Sequence, residues 1–322
     1  MTLKLLSVSE VKQSITMTEA IDAMERAFIQ LTKQEAVLPL RTGIPVGKKG
    51  LTLTMPAYLA EEKTLGLKVV SVFPDNVRHN KPSINGTILL LDATTGEPLV
   101  LMDAGYLTAL RTGAISGLAT KYFSQDKPST VAIIGAGVQA ITQLEAVAAV
   151  RQVEQVLVWS RHPESARKFA KDMEPFYDVQ VCEQLSSALK RADIICTATG
   201  STEPLVHVHD LQSHAHINAI GSHSPSMQEI SGEVLQKAIV IVDQLEAAMS
   251  EAGEIIRAVE QQKLKRESLI ELGPWLLKKA PHFQEQLTVF KSVGLAIQDL
   301  GVAQVVYQNA LKMNLGSTFK LN

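Results

Sequence analysis

Val131-Ala-Ile-Ile-Gly135-Ala-Gly137-Val-Gln-Ala140 is the stretch whose reading decides the fold. An apolar strand runs into the pattern Gly-x-Gly-x-x-Ala, and a helical pattern follows to Val150. This is the signature of the first βα turn of a dinucleotide-binding fold. Gly135 makes the tight turn, Gly137 lets the backbone approach a pyrophosphate, and Ala140 keeps helix and strand close. Val138 and Gln139 open the helix, whose N-terminal amides and positive dipole end point at the phosphates. A glycine turn alone is weak evidence, so the apolar strand before it and the amphipathic run after it carry the weight.

Downstream, strands and helices alternate. Residues 156–159 read as strand, 163–171 as helix, 179–182 as strand, 186–191 as helix and 194–197 as strand. Strands at 216–220 and 239–242 continue the series, which predicts a parallel, doubly wound sheet. A short strand at 287–290 precedes one long helix from 294 to about 313, placed to pack back on the N-terminal part. Upstream, residues 1–124 do not read as a Rossmann half. Ser7-x-x-Glu10 and Thr16-x-x-Glu19 are capping boxes, and Ile21, Met24, Phe28 and Leu31 recur at helical spacing behind the second. Strands at 51–55, 65–73, 86–91 and 98–102, with a glycine hairpin at 92–97, predict a mostly antiparallel sheet with helices. Residues 105–123 turn helical, and the polar segment 124–130, with Pro128, reads as a linker.

The chain has 322 residues, 46% hydrophobic and 20% charged, enough for two domains with a large core. A net charge of -2 gives no reason to expect nucleic acid or an anionic membrane as partner. No apolar run reaches spanning length and the N-terminus lacks signal-peptide architecture, so a cytoplasmic protein is expected. Cys182 and Cys196 read as buried, reduced thiols. His207, His209, His214 and His216 pair at i, i+2 spacing, but only Asp210 stands near to complete a shell, so no metal is expected.

The second strand of the Rossmann series ends Val158-Trp159-Ser160-Arg161-His162. An NAD-preferring fold places a carboxylate there for the ribose 2′-hydroxyl. Ser160 is instead placed to donate to a 2′-phosphate and Arg161 to pair with it or stack on adenine, which predicts NADP(H) as the preferred cofactor and NAD(H) as the alternative. Three cations stand in apolar settings. Arg41 follows Val-Leu-Pro-Leu, Lys68 interrupts Leu65-Gly-Leu-Lys-Val-Val, and Arg111 lies in Tyr106-Leu-Thr-Ala-Leu-Arg-Thr-Gly-Ala. A charge in such a run must snorkel or find a partner, and the three together suit a carboxylate site.

The chain resembles the ornithine cyclodeaminase/mu-crystallin family over almost its full length. The resemblance rests on Pro82-Ser-Ile-Asn-Gly-Thr87, Leu107-Thr-Ala-Leu-Arg-Thr-Gly-Ala114, Ile133–Ala140, Trp159-Ser-Arg-His-Pro163 and Lys291-Ser-Val-Gly-Leu-Ala-Ile-Gln-Asp299. It implies a homodimer with a substrate-binding and dimerisation domain from 1–124 with 302–322, and a Rossmann domain at 125–301. It implies that Arg41, Lys68 and Arg111 surround a substrate carboxylate, with Thr87 and Thr112 lining the site. It implies that Gly221-Ser222-His223 and Ser292-Val293-Gly294 border the nicotinamide. Thr197, Ala198 and Thr199 would lie along the cofactor with Ser160, Arg161 and His162.

Members differ in chemistry. The cyclodeaminase pattern carries an Asp where this chain has His223, and an imidazole is a poor partner for a substrate ammonium. The resemblance therefore implies net reduction of a cyclic imino acid. Δ1-pyrroline-2-carboxylate to L-proline leads, with Δ1-piperideine-2-carboxylate to L-pipecolate beside it. Lys68 is the candidate for carboxylate contact and proton relay, and His223, counted with the substrate-binding residues, for orienting the nicotinamide or relaying a proton. An ornithine or lysine cyclodeaminase, an alanine-type amino-acid dehydrogenase and a non-catalytic crystallin-like binding protein are the alternatives.

Overall fold

The computed structural model describes residues 2–47, 49–79, 81–278 and 283–320. The chain divides into two units, Met1–Arg111 with Leu295–Asn322, and Thr112–Gly294. In the first, β1 (Thr2–Leu6) leads into α1 (Val8–Gln13) and α2 (Met17–Thr32). Both capping boxes form: the Ser7 amide donates to Glu10 Oε2 and the Thr16 amide to Glu19 Oε2, each at 2.8 Å. Then come β2 (Ala36–Val37), β3 (Thr42–Val46), β4 (Gly50–Leu59), β5 (Thr64–Val72), β6 (Ile84–Asp92), β7 (Pro98–Asp103) and α3 (Gly105–Phe123). The predicted hairpin closes as Asp92 Oδ1 accepts from the Thr94 and Thr95 amides and Gly96 takes a φ of +76°.

The second unit alternates β8 (Ser129–Ile134), α4 (Val138–Ala148), β9 (Val153–Trp159), α5 (Pro163–Met173), β10 (Val179–Val181), α6 (Leu185–Arg191) and β11 (Ile194–Thr197). β12 (His216–Ala219), α7 (Gly232–Lys237), β13 (Ile239–Val242), α8 (Leu245–Glu251), α9 (Gly253–Glu260), β14 (Ile270–Glu271), α10 (Leu272–Lys278) and β15 (Thr288–Lys291) complete it. The strands run in the order β10-β9-β8-β11-β12-β15-β13-β14, all pairs parallel. Parallel strands covered on both faces are buried throughout. On β8, Val131 and Ile133 enter one core and Ala132 and Ile134 the other. The order reverses between β8 and β11, the switch point where such sheets bind ligands. β15 inserts between β12 and β13, an arrangement that chain order does not suggest.

The chain then returns to the first unit through α11 (Ala296–Lys312) and β16 (Ser317–Lys320). That unit's sheet has the order β16-β1-β7-β6-β5-β4-β2, with β3 on β4. Met55, Lys68, Ile88 and Met102 are successive cross-strand partners and all are buried. α11 packs on β4, β5 and β6.

The boundaries differ from those expected at 124/125 and 301/302. They fall at 111/112 and 294/295, inside α3 and just before α11. The second half of α3 is bound into the Rossmann unit by its own side chains. Thr120 Oγ1 accepts from Asn218 at 2.9 Å, and the Phe123 ring lies 4.6 Å from that of Trp275. The segment 124–130 is not a loose linker either. Buried Arg151 donates to the carbonyls of Thr120, Lys121, Ser124 and Gln125 at 2.8–3.1 Å, and β8 starts at Ser129.

Gly113 sets the approach of α3 and α4: a Cβ there would stand 2.3 Å from the Thr142 carbonyl oxygen. Helix propensity alone favours alanine by about 1 kcal/mol. Overpacking against a backbone atom costs about 1–3 kcal/mol. Gly113→Ala should therefore lower the melting temperature; an unchanged or raised value in calorimetry refutes the packing account.

Candidate active site

The glycine turn adopts the form its sequence requires. Gly135 has a φ of +100°, and a Cβ there would meet the Ala198 carbonyl oxygen at 2.6 Å. No side chain is admissible at that position. At Gly137 a Cβ would meet nothing within 4 Å, so the backbone faces open space. Gly137 caps α4, and the Ala140 amide donates to the Gly137 carbonyl at 3.1 Å. Val138 is exposed, Ala140 fully buried. The Gln139 Oε1 atom is buried without a hydrogen-bond partner. A cleft lined by Gly135, Gly137, Ser160, Arg161, His162 and Thr199 opens here, at the carboxyl ends of β8, β9 and β11. An open glycine cradle at a helix N-terminus on the switch point fits a dinucleotide pyrophosphate.

At the end of β9 stand Ser160, Arg161 and His162. The Ser160 hydroxyl accepts from the His162 amide at 3.3 Å, and Arg161 is exposed. Pro163 starts α5.

Two buried carboxylates hold the backbone on the other side of the switch point. Glu229, with no exposed surface, accepts from the Thr197 hydroxyl, the Thr199 amide and the Gly221 amide at 2.7–2.9 Å. Burial pushes its carboxyl above the usual range, opposed by Lys291 and reinforced by Glu254. Asp243 accepts at one oxygen from the Ser292 hydroxyl and the Val293 and Gly294 amides at 2.8–3.2 Å. The two turns singled out by sequence are thus each fastened from below. Sequence reading missed both carboxylates, because each lies in or beside an ordinary polar loop.

In the first unit, Lys68 and Arg111 meet. Lys68 Nζ lies 2.6 Å from Asp299 Oδ2, and Arg111 Nε 3.2 Å from Asp299 Oδ1. Arg111 also donates to Gln298 Oε1 at 2.7 Å. Lys68 is 2% exposed and Asp299 not at all. Burial lowers the Lys68 ammonium to about 8, against the pull of Asp299; Arg111 and Arg41 push the same way as burial. Arg41, half-buried just before β3, thus belongs to the same field. Two cations share one anion, so Lys68, Arg111 and Asp299 together carry surplus positive charge. Asp299 was within reach of sequence reasoning: it interrupts an apolar helix as Arg111 does.

The other expected site residues have surroundings of their own. Thr87 pairs with Val69 and Asp103, which puts it on the opposite sheet face from Lys68, where it is exposed. Strand alternation separates it from the ammonium. Thr112 begins the second unit, and its carbonyl accepts from Gln143 at 3.0 Å. His223 is exposed, and its Nδ1–H donates to the Gly221 carbonyl at 2.9 Å. The four clustered histidines take separate surroundings. The His207 and His209 rings stack, His214 bonds Asp193 at 3.0 Å, and buried His216 bonds Thr288 at 2.8 Å. Both cysteines are free and buried.

The second unit's dinucleotide cradle on a doubly wound sheet defines a Rossmann-type dinucleotide-binding protein; the first unit holds a desolvated cation cluster. The sequence model of the ornithine cyclodeaminase/mu-crystallin family matches residues 1–314, and the chain belongs to that family. It is 36% identical over 319 residues to a Δ1-pyrroline-2-carboxylate reductase of Bacillus cereus, covering 97% of this chain and 98% of the relative. It is 37% identical over 319 residues to an alanine dehydrogenase of Archaeoglobus fulgidus, covering 98% of each. The solved structure of Thermococcus litoralis Δ1-pyrroline-2-carboxylate reductase in complex with NADH and L-proline matches with a TM-score of 0.93 and 38% identity. The match covers 98% of this chain and 99% of that one.

Removing one partner of a buried ion pair costs about 3–5 kcal/mol, because the other charge stays buried. Asp299→Asn should lose stability on that scale in urea unfolding. A loss under 1 kcal/mol means that the cations find water or another anion.

Proposed function

We propose that this chain reduces a cyclic imino acid with NAD(P)H: Δ1-pyrroline-2-carboxylate to L-proline, and its six-membered analogue Δ1-piperideine-2-carboxylate to L-pipecolate. The observation that carries the reading is the buried Lys68–Asp299–Arg111 cluster with its surplus positive charge. It suits one small carboxylate, and the glycine cradle suits the cofactor. Relatives of the same length that act as pyrroline-2-carboxylate reductases support it.

Arg41, Lys68 and Arg111 hold the substrate carboxylate, and Asp299 fixes the last two in place. A fixed carboxylate fixes C2, which is where near-attack geometry matters. When bound, the reduced nicotinamide supplies the hydride that adds to C2 of the C=N bond. The ring nitrogen takes a proton in the same conversion, and Lys68 is the group we assign to deliver it. An ammonium near 8 is charged at neutral pH yet gives up its proton readily. His223 stands at the rim of the nicotinamide side, where its ring orients the cofactor.

NADP(H) is the cofactor we assign first, on Ser160 and Arg161 and the missing carboxylate at the end of β9; NAD(H) is second. A homodimer is supported by exposed apolar residues in the first unit: Leu40 is 93% exposed, Ile44 on β3 53% and Ile84 on β6 56%. No helix among the described residues is long and apolar enough to cross a membrane. We assign the cytoplasm on composition and the two unpaired thiols.

The alanine dehydrogenase relative supports a second reading, reductive amination of a linear keto acid. Loss of absorbance at 340 nm separates the two. NADPH oxidation with Δ1-pyrroline-2-carboxylate, faster than with NADH and faster than with pyruvate plus ammonia, is expected. Oxidation only with pyruvate and ammonia, or proline formed from ornithine without added reductant, overturns the proposal. In the reductive direction kcat/KM should fall above about pH 8, as the Lys68 ammonium is lost. Lys68→Arg keeps the charge but does not titrate there, so it should retain part of the substrate affinity and lose that alkaline limb. A limb unchanged in Lys68→Arg removes Lys68 as the proton donor.

A further inference from the structure

Glu229 lies outside every motif that the sequence brings forward. Its Oε2 accepts from Thr197 Oγ1 at 2.9 Å, the Gly221 amide at 2.8 Å and the Ser222 amide at 3.3 Å. Its Oε1 accepts from the Thr199 amide at 2.7 Å. Thr197 ends β11 and Thr199 follows it, while Gly221 and Ser222 follow β12. One carboxylate therefore ties together the carboxyl ends of two adjacent parallel strands. The fit around it is tight. A Cβ on Gly221 would stand 2.4 Å from Glu229 Oε1 and from the Thr199 amide nitrogen and carbonyl oxygen.

The next peptide along is held as firmly. Lys291 Nζ donates to the Ser222 carbonyl at 2.5 Å and pairs with Glu254 at 3.0 Å. Both side chains are essentially without exposure. Ser222 is thus fixed at its N–H by Glu229 and at its C=O by Lys291.

Strand order says what lies above these ends. A dinucleotide straddles the switch point of a doubly wound sheet, one mononucleotide half on each side. The glycine turn after β8 and Ser160–Arg161 after β9 lie on the adenosine side. β11 and β12 lie beyond the switch point, under the other half.

We propose that Glu229 is a positioning residue for the nicotinamide half of the cofactor, acting through the Thr199, Gly221 and Ser222 amides it holds. The proposal rests on the nicotinamide cofactor assigned above. A purely structural role would weaken every nucleotide alike. A positioning role weakens only ligands that carry the nicotinamide.

The test is equilibrium binding by calorimetry of NADPH and of ADP, which has the adenosine and pyrophosphate but no nicotinamide. In Glu229→Gln an amide donor must face one of the amides that Glu229 now accepts from. NADPH affinity should fall about tenfold, roughly the loss of one charge-assisted hydrogen bond, while ADP affinity changes less than about twofold on the same scale. Thr197→Val removes one donor and keeps the carboxylate. It should show the same selectivity with a smaller loss, and it decides the matter if Glu229→Gln does not fold. Equal weakening of both nucleotides, or no change in either, overturns the proposal and leaves the cofactor reading standing. Failure of the unsubstituted chain to bind either nucleotide overturns the cofactor reading and this proposal with it.

Discussion

Asp299 has no exposed surface, and its two oxygens hold Lys68 and Arg111 at 2.6 and 3.2 Å. An ion without water must find a counter-ion or give up its charge. Two cations on one carboxylate satisfy that rule only in part. The remainder is a standing demand for an anion. In the proposed function, stability and recognition come from one arrangement. The carboxylate that makes burial of the cations tolerable also leaves them short of negative charge, which a substrate carboxylate can supply.

The Rossmann unit uses buried carboxylates differently. Glu229 and Asp243 accept chiefly from backbone amides and hydroxyls rather than pairing directly with cations. Charge-assisted bonds to amides are stronger than neutral ones, and they fix peptide planes. Fixed peptide planes give a preorganised surface that need not reorganise when a ligand arrives. The cost is burial of negative charge, which raises the Glu229 carboxyl, and Lys291 offsets it from beneath the same turn.

Much of this was legible in the chain. The glycine turn, the capping boxes and the alternating strands are local patterns, and each formed where its residues required. Lys68 and Arg111 were legible because a charge inside an apolar run calls for a partner, and Asp299 met the same criterion without being chosen. Glu229 and Asp243 were not legible: a lone acid in or beside a polar loop looks solvated until the fold buries it. The insertion of β15 between β12 and β13 depends on long-range pairing, which no local pattern records. Thr87 lies on the other sheet face from Lys68 because register decides the face, and a one-residue difference from Ile88 reverses it. The boundary expected at a polar segment falls instead inside α3, whose second half is held by Arg151, Asn218 and Trp275.

The capping boxes also do more than start helices. Glu10 gives Oε2 to the Ser7 amide and Oε1 to the Gly316 amide. Glu19 gives Oε2 to the Thr16 amide and Oε1 to Asn309. Each locally specified carboxylate thus has a second oxygen that catches the returning C-terminal segment. β16 then pairs antiparallel with β1, Thr2 opposite Lys320. Between these anchors runs α11, and with it Asp299, 188 residues beyond Arg111. Lys68 and Arg111 stand in elements formed by the first third of the chain, but their counter-ion comes only with α11. Without α11 the two cations would have no Asp299 to pair with, so the helix supplies the counter-ion for charges that the other elements bring. The requirement that links Lys68 to Asp299 in the site is therefore also what binds the two ends of the chain into one unit.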